Sequence, residues 1–191
     1  VNNGNCLELM SDIDDKSIDM ILCDLPYGTT ACKWDTVIPF EPLWAHYKRI
    51  IKNNGAIVLT ASQPFTSALV MSNIKMFKYD WVWRKSRVTG VLNAKKQPLR
   101  TKEDVIVFSN GVAIYNPQGL IESNKQANTG VSKSGKQGLA TGKIKQTETG
   151  TYHQEFTNYP RNIIEIPSEG KTLHPTQKPV ALFEYLIKTY T

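Results

Sequence analysis

Residues 17–28 read SIDMILCDLPYG and join a short apolar run to a turn. The apolar run covers residues 17–23, which have the length and composition of a buried strand. Pro26 and Gly28 are strong turn formers, so the strand is expected to end at the DLPY tetrapeptide. This stretch predicts a buried strand that ends directly in a turn.

A helix and a second strand follow the first strand. Residues 40–53 carry apolar side chains at helical spacing, and Asn54-Gly55 predicts a left-handed helix stop. The apolar run AIVLTA at residues 56–61 predicts another buried strand. The same criteria predict a helix over residues 64–73, strands over 77–83 and 103–109, a short strand over 162–166 and a helix that begins near Pro179. This order predicts an α/β sheet with an antiparallel end.

Length and composition are those of one domain with a real core, since 40% of the 191 residues are hydrophobic. No apolar run approaches the roughly 20 residues of a membrane-spanning helix, so a cytoplasmic protein is expected. The cysteines Cys6, Cys23 and Cys32 form no C-x-x-C pair, which argues against a disulfide framework and a zinc knuckle. The three histidines share no metal-ligand spacing, so no metal is expected.

The basic excess is confined to the middle of the chain. Residues 84–150 contain 12 basic and 4 acidic side chains, whereas residues 1–83 and 151–191 are close to neutral. Such a distribution is typical of an insert that binds a polyanion, although a solvated lysine-rich loop has the same composition. Residues 118–150 are rich in Gly, Ser, Thr, Asn, Gln and Lys and contain no aromatic residue, which predicts a mobile loop.

The tetrapeptide Asp24-Leu25-Pro26-Tyr27 is the first candidate site, because open α/β sheets bind ligands at the carboxyl ends of their strands. A carboxylate at position 24 can accept a hydrogen bond from an amine, Pro26 stiffens the turn, and Tyr27 offers a ring to a flat ligand. These capacities suit a nucleobase with an exocyclic amine. The alternative is a simple strand-to-loop turn in which Asp24 caps the turn and Tyr27 packs in the core.

Several segments, in the same order along nearly the whole chain, resemble the amino-methylating DNA methyltransferases of the permuted β class. Asp24-Leu25-Pro26-Tyr27 is similar to their D-P-P-Y catalytic tetrapeptide, and Gly4-Asn5-Cys6-Leu7 to their G-D-C-L opening. Residues 174–191, HPTQKPVALFEYLIKTYT, are similar to their H-P-T-Q-K-P segment and the helix after it. Further matching segments are YDWVWRK at 79–85, NAKKQP at 93–98 and EDVIVF at 103–108.

The resemblance implies a partial Rossmann-like sheet, about four strands of a larger one. It implies methyl transfer from S-adenosylmethionine to the N6 amine of an adenine flipped out of double-stranded DNA. Asp24 and the Leu25 carbonyl would accept the two amine protons, Pro26 would shape the turn, and Tyr27 would stack on the base. The residues that the resemblance assigns to cofactor binding are Asn5, Cys6, Asp24, His174, Thr176, Lys178 and Pro179.

Charge and resemblance together predict phosphate contacts from basic residues on and after the third strand: Arg84, Lys85, Arg87, Lys95, Lys96 and Arg100. Residues 111–160 fit a target-recognition insert between a catalytic half at 1–110 and a return segment with the cofactor-side helix at 161–191. The loop at 118–150 is expected to order on DNA. The family relation also points to a phage or restriction-modification origin.

The sequence departs from the family pattern at two points. Leu25 stands where proline is usual, which keeps the backbone carbonyl but loosens the turn. No Gly-x-Gly occurs, so the chain is expected to stop before the family's glycine-rich cofactor loop and to be a fragment. Its first strand would then have an open edge, which predicts self-association, together with weak cofactor binding and inefficient turnover. Asp24 favours adenine over cytosine, and the alternatives are cytosine-N4 methylation or a non-catalytic DNA-binding relative.

Overall fold

A five-stranded sheet forms the centre of the fold. The computed structural model describes residues 2–128, 151–170, 172–174 and 176–191, and it divides into one unit formed by Val1–Asn116 with Arg161–Thr191 and a second unit, Pro117–Pro160. The elements of the first unit are α1 (Cys6–Leu9), β1 (Ile18–Asp24), α2 (Phe40–Ile50), β2 (Ile51–Ala61), α3 (Phe65–Ser72), β3 (Phe77–Thr89), β4 (Arg100–Phe108), β7 (Ile163–Glu165) and α4 (Val180–Tyr190). The second unit contains β5 (Ile121–Asn128) and β6 (Thr151–Thr157).

The strands of the sheet lie in the order β1-β2-β4-β3-β7. β1 runs parallel to β2 and β3 runs parallel to β7, whereas β4 is antiparallel to both of its neighbours. The α/β fold class is therefore confirmed. The expectation that the antiparallel pair ends the sheet is wrong, because the short strand β7 adds to the outer edge of β3.

Gly55 does not stop a helix. It lies inside β2, which begins at Ile51 and so starts earlier than predicted. A Cβ atom at position 55 would lie 2.7 Å from the Asp19 carbonyl oxygen and 2.7 Å from Ile51 Cδ1. β2 approaches β1 so closely at this point that only glycine fits, and the register of the two strands shifts between Ile18 and Met20.

Hydrophobic layers cover both faces of the sheet. Ile57 and Leu59 of β2 belong to the cluster that includes the apolar faces of α2 and α3. Val58, which points to the opposite face, packs in a second cluster with Leu182 and Leu186 of α4. Burial of an aliphatic side chain of this size contributes about 1.5–3 kcal/mol. The alternation along β2 thus fixes which helices lie on which side of the sheet.

Trp81 and Trp83 of β3 are core residues, each only 3% exposed. The Trp81 indole donates to the Tyr190 hydroxyl at 2.6 Å, and the Trp83 indole donates to the Ile166 carbonyl at 2.8 Å. Both buried indole N–H groups are therefore satisfied. The two bonds join β3 to the C-terminal part of the chain.

The second unit is a β-hairpin in which β5 pairs antiparallel with β6. Its chain ends meet where the Asn158 side chain donates to the Gly119 carbonyl at 2.7 Å. The prediction of a structureless loop over 118–150 is wrong for Ile121–Asn128, where backbone pairing with β6 forms a strand. The rest of that predicted loop, residues 129–150, lies outside the described residues.

β1 forms one edge of the sheet and, within the described residues, pairs with β2 alone. This agrees with the predicted open edge, and self-association through it stays a prediction.

Among the described residues, no helix is both long enough and apolar enough to cross a membrane.

Candidate functional site

Asp24 lies at the carboxyl end of β1, directly beside Thr60 of the parallel strand β2. The Thr60 hydroxyl donates to Asp24 Oδ1, and the Tyr27 hydroxyl lies 2.9 Å from both Asp24 Oδ1 and Thr60 Oγ1. Groups from the neighbouring strand and the following turn thus hold one carboxylate oxygen in place. This is the position at which the parallel part of an α/β sheet presents ligand-binding side chains.

Tyr27 is engaged through both its ring and its hydroxyl. The ring stacks on Phe65 of α3, with centroids 5.2 Å apart and planes inclined by 22°. Burial and, to a smaller extent, the neighbouring Asp24 charge raise the pKa of the Tyr27 phenol above its usual range. The phenol therefore stays protonated at neutral pH and can donate its hydrogen bond to Asp24 or Thr60.

Lys178 connects Asp24 to a second carboxylate. Its ammonium lies 2.9 Å from Asp24 Oδ2 and 3.3 Å from Glu103 Oε2, and its side chain is only 7% exposed. Lys85 of β3 donates to the other oxygen of Glu103 at 3.1 Å. We call Asp24, Lys178, Glu103 and Lys85 the charge chain. Its charges alternate in sign, so each carboxylate faces at least one ammonium and the four formal charges cancel.

The charge chain includes two lysines that the sequence assigned to other partners. Lys178 was expected against the cofactor and Lys85 against DNA phosphate, yet here both ammonium groups face carboxylates and Lys85 is only 10% exposed. Sequence reasoning did not single out Glu103. Its one signal is a charged residue at the start of the apolar run of β4, and pairing partners 18 and 75 positions away cannot be identified from that signal.

Asp35 organises the loop after the tetrapeptide. Its buried carboxylate accepts hydrogen bonds from the backbone N–H groups of Gly28, Thr29 and Thr30 and from the Thr30 hydroxyl, at 2.7–2.9 Å. Burial alone would raise the pKa of Asp35, but these four bonds outweigh it and lower the pKa to about 2. The sequence analysis missed this residue, because a lone aspartate in a loop carries no distinguishing pattern.

A cavity of about 570 Å³ opens beside Asp24 and belongs entirely to the first unit. Its lining includes the whole Asp24–Tyr27 tetrapeptide, where Pro26 meets the cavity and the Leu25 side chain is largely buried. Trp34 also lines it, with half of its surface exposed and its ring 5.2 Å from the ring of His174. Sequence reasoning missed Trp34, which offers the cavity an accessible aromatic surface.

The segment that leads into α4 supplies another wall of the cavity through Thr176 and Lys178. His174 is exposed, and its Nδ1 lies 3.0 Å from Thr176 Oγ1. Pro179 is buried directly before the helix. The Glu169 carboxylate accepts from the Val180 backbone N–H at 2.8 Å, which satisfies a free amide of the first helical turn.

Asn5 and Cys6 lie apart from this cavity lining. Asn5 is the N-cap of α1: its side chain accepts from the Leu7 backbone N–H at 3.1 Å and donates to Glu8 at 3.1 Å. Cys6 is an exposed free thiol. Capping of α1 therefore accounts for the side-chain hydrogen bonds of Asn5.

The predicted phosphate-binding residues fall into different settings. Arg87 and Arg100 are exposed and line the cavity. Arg84 forms an exposed ion pair with Glu165 at 2.7 Å. Lys95 and Lys96 are exposed on the connection between β3 and β4. Among the residues that the structure describes, no cluster of three or more His, Cys, Asp or Glu is placed to hold a metal ion.

Comparison with known proteins gives matches at the level of family and fold. A family described as DNA methylase, which groups N6 and N4 enzymes, matches residues 18–191. No curated protein sequence matches the chain. The M1.HpyAVI–SAM complex is similar at 18% identity and a TM-score of 0.58, covering all of this chain and 76% of that one. The cytosine-N4-specific PvuII DNA methyltransferase is similar at 14% identity and a TM-score of 0.59, covering 98% of this chain and 68% of that one.

Proposed function

The chain belongs to the N6/N4 DNA methylase family. We propose that it transfers a methyl group from S-adenosylmethionine to the exocyclic N6 amine of an adenine flipped out of double-stranded DNA. The observation that carries the proposal is the Asp24 carboxylate, which is held by Thr60, Tyr27 and Lys178 at the mouth of a cavity large enough for a nucleobase.

Asp24 supplies what an exocyclic amine needs. The lone pair of such an amine is delocalised into the ring, so placement is most of the help that a protein can give. Thr60 and Tyr27 engage Oδ1 and Lys178 engages one side of Oδ2, which leaves a lone pair of Oδ2 to accept an amine proton. That bond aims the nitrogen lone pair, and Asp24 is placed to take the proton that the nitrogen releases after methylation.

The cavity fits S-adenosylmethionine, the methyl donor of this family and the ligand of the M1.HpyAVI complex. When bound, the cofactor supplies a methyl group on a positively charged sulfur. The segment that leads into α4 brings Thr176 and Lys178 to the cavity wall, where a hydroxyl and an ammonium can contact the polar groups of an amino-acid ligand. We assign the cofactor to Thr176 and Lys178, which line the cavity, to His174 and Pro179 of the same segment, and to Asp24 on the other side. Asn5 and Cys6 belong neither to the cavity lining nor to this segment, so we leave them out.

The order of these groups along the chain supports the permuted β class. The catalytic tetrapeptide starts at residue 24, and the segment proposed for the cofactor lies about 150 positions later, at 174–179. A restriction-modification or phage origin is part of the same proposal. The second candidate reaction is N4 methylation of cytosine, which the similarity to PvuII methyltransferase favours, whereas an aspartate at position 24 supports adenine.

The test is to incubate the chain and, in parallel, its full reading frame with labelled S-adenosylmethionine and unmethylated DNA, digest the DNA, and identify the labelled nucleoside. The chain alone is expected to give the weaker signal. We expect N6-methyladenine, and we expect Asp24→Asn to lower the rate by about 10²–10³ while salt-dependent DNA binding persists. Asp19→Asn is the matched control, since Asp19 lies on the same strand but forms an exposed pair with Lys52. Labelled N4-methylcytosine from either protein would make cytosine the substrate. DNA binding without any label from either protein would identify a non-catalytic relative.

A further inference from the structure

The connection between β3 and β4 ends in an apolar apex. Val91 is 64% exposed and the neighbouring Leu92 is completely exposed, although both are aliphatic. Single exposed apolar residues are ordinary on protein surfaces. Two adjacent ones at the tip of an extended hairpin are a more specific feature, and none of the described residues covers Leu92. Such a pair is suited to contact with a binding partner.

The apex is a defined turn. Val91–Asn93 forms a short 3₁₀ turn that follows Gly90, whose φ of 88° places it in the left-handed region. Backbone hydrogen bonds from Asn93 to the Gly90 carbonyl and from Lys96 to the Asn93 carbonyl, at 2.9 and 2.8 Å, close the turn on both sides. Leu92 is therefore presented on a fixed backbone, which lowers the entropy lost when it enters a partner.

Positive charge surrounds this apex. Arg87 and Arg100 lie on the two strands that lead to it, and Lys95 and Lys96 follow it, all of them exposed. Within the described part of the chain, no ion pair joins any of these four cations to a carboxylate. A second copy of the same apex would bring four like charges against them. A polyanion is the partner whose charge complements this surface.

The apex also lies next to the cavity. Thr89 pairs with Arg100 across the hairpin, and both residues line the cavity that holds Asp24. Leu92 is three residues beyond Thr89, which places it at most roughly 11 Å from that wall along the chain. A displaced nucleobase stays attached to its backbone. The gap that it leaves in the duplex must therefore lie close to the cavity that the base enters, at a distance similar to that between Leu92 and the cavity wall.

We propose that Leu92, supported by Val91, is an apolar wedge that enters the DNA duplex at the gap left by the displaced base. The proposal rests on the proposed function, since it requires DNA as the partner. Displacing a base costs stacking and pairing energy, and apolar side chains inserted between base steps are a known physical means of offsetting that cost. The flanking cations would hold the backbone on both sides of the gap.

The test compares binding of the chain to a fluorescent DNA duplex with binding to the same duplex carrying one abasic site. We expect the wild type to bind the abasic duplex about tenfold more tightly, because the gap buries the leucine side chain. Leu92→Ala should lose most of this preference, with an unchanged salt slope, and Leu92→Phe should restore it. A small preference remains in every variant, because the abasic duplex has no base to displace. Lys95→Ala is the matched control and should weaken binding to both duplexes equally while lowering the salt slope by about 1.

Each other outcome overturns the wedge in a distinguishable way. Salt-dependent binding with no preference for the abasic duplex would remove the wedge but leave DNA binding intact. No binding to either duplex would remove the proposed DNA substrate and the wedge with it. If Leu92→Ala instead dissociated an oligomer seen by sedimentation and left the abasic preference unchanged, the apex would be a contact between copies of this chain.

Discussion

Lysine and arginine side chains occupy two adjacent regions of the first unit in opposite environments. In the charge chain, Lys178 and Lys85 are almost buried, and each lies within 3.1 Å of a carboxylate oxygen. Around the apex of the β3–β4 connection, Lys95 and Lys96 are exposed. Only about ten residues of sequence separate Lys85 from Lys95, yet the first faces the protein and the second faces solvent.

The difference shows that residue type alone does not define a binding surface. A buried ammonium loses its hydration and must be paired, so it positions the carboxylates that it touches. An exposed ammonium keeps its hydration, gains little from a surface ion pair, and is available for salt-dependent contact with phosphate. The two regions therefore divide the basic residues into a part that holds Asp24 and a part for which we propose contact with DNA.

The largest expected effect comes from removing the centre of the charge chain. Lys178→Met leaves Asp24 and Glu103 without their shared cation, so we expect a loss of about 3–5 kcal/mol in the free energy of unfolding. Urea denaturation measures it. Lys178→Arg keeps the charge and should retain most of the stability, and equal destabilisation by both substitutions would contradict the pairing described here.

Two matched lysine substitutions, one in each region, test the difference between the buried and the exposed ammonium groups. Lys85→Met should lower the free energy of unfolding by about 2 kcal/mol, because it removes a charged hydrogen bond to Glu103, and should leave the salt dependence of DNA binding unchanged. Lys95→Met should do the reverse: stability stays within about 0.5 kcal/mol and the salt slope falls by about 1. A reduced salt slope for Lys85→Met would place that residue on the DNA surface instead.

Asp35 is a buried carboxylate whose hydrogen bonds all come from neutral donors. Its contribution to stability can therefore be measured without an ion pair. Its pKa is about 2 in the folded protein against 3.8 for the free group. Because the folded pKa is the lower one, the stabilisation is complete above about pH 4 and is lost as the pH falls towards 2. We expect the wild type to lose about 1–2 kcal/mol more than Asp35→Asn between pH 5 and pH 2.5, as followed by urea denaturation. Parallel pH curves for the two proteins would contradict this.

Much of the fold was predictable because it depends on neighbours in the chain. The apolar run ending at Asp24, the helical spacing of α2 and the apolar face of α4 each carry their own local pattern. Local patterns failed where a distant contact decides the structure. Gly55 looked like a helix stop but serves the close approach of β2 to β1, and β5 exists only through its pairing with β6.

The candidate site divides along the same line. The local sequence already places a carboxylate and a tyrosine in a turn at the end of a buried strand, because strand, turn and spacing are properties of adjacent residues. Folding is what brings Lys178 to Asp24 across 154 positions, extends the charge chain to Glu103 and Lys85, and turns Trp34 to the same cavity. Whether an ammonium is buried against a carboxylate or exposed to solvent depends on which strands become neighbours in the sheet, and no short stretch of sequence contains that information.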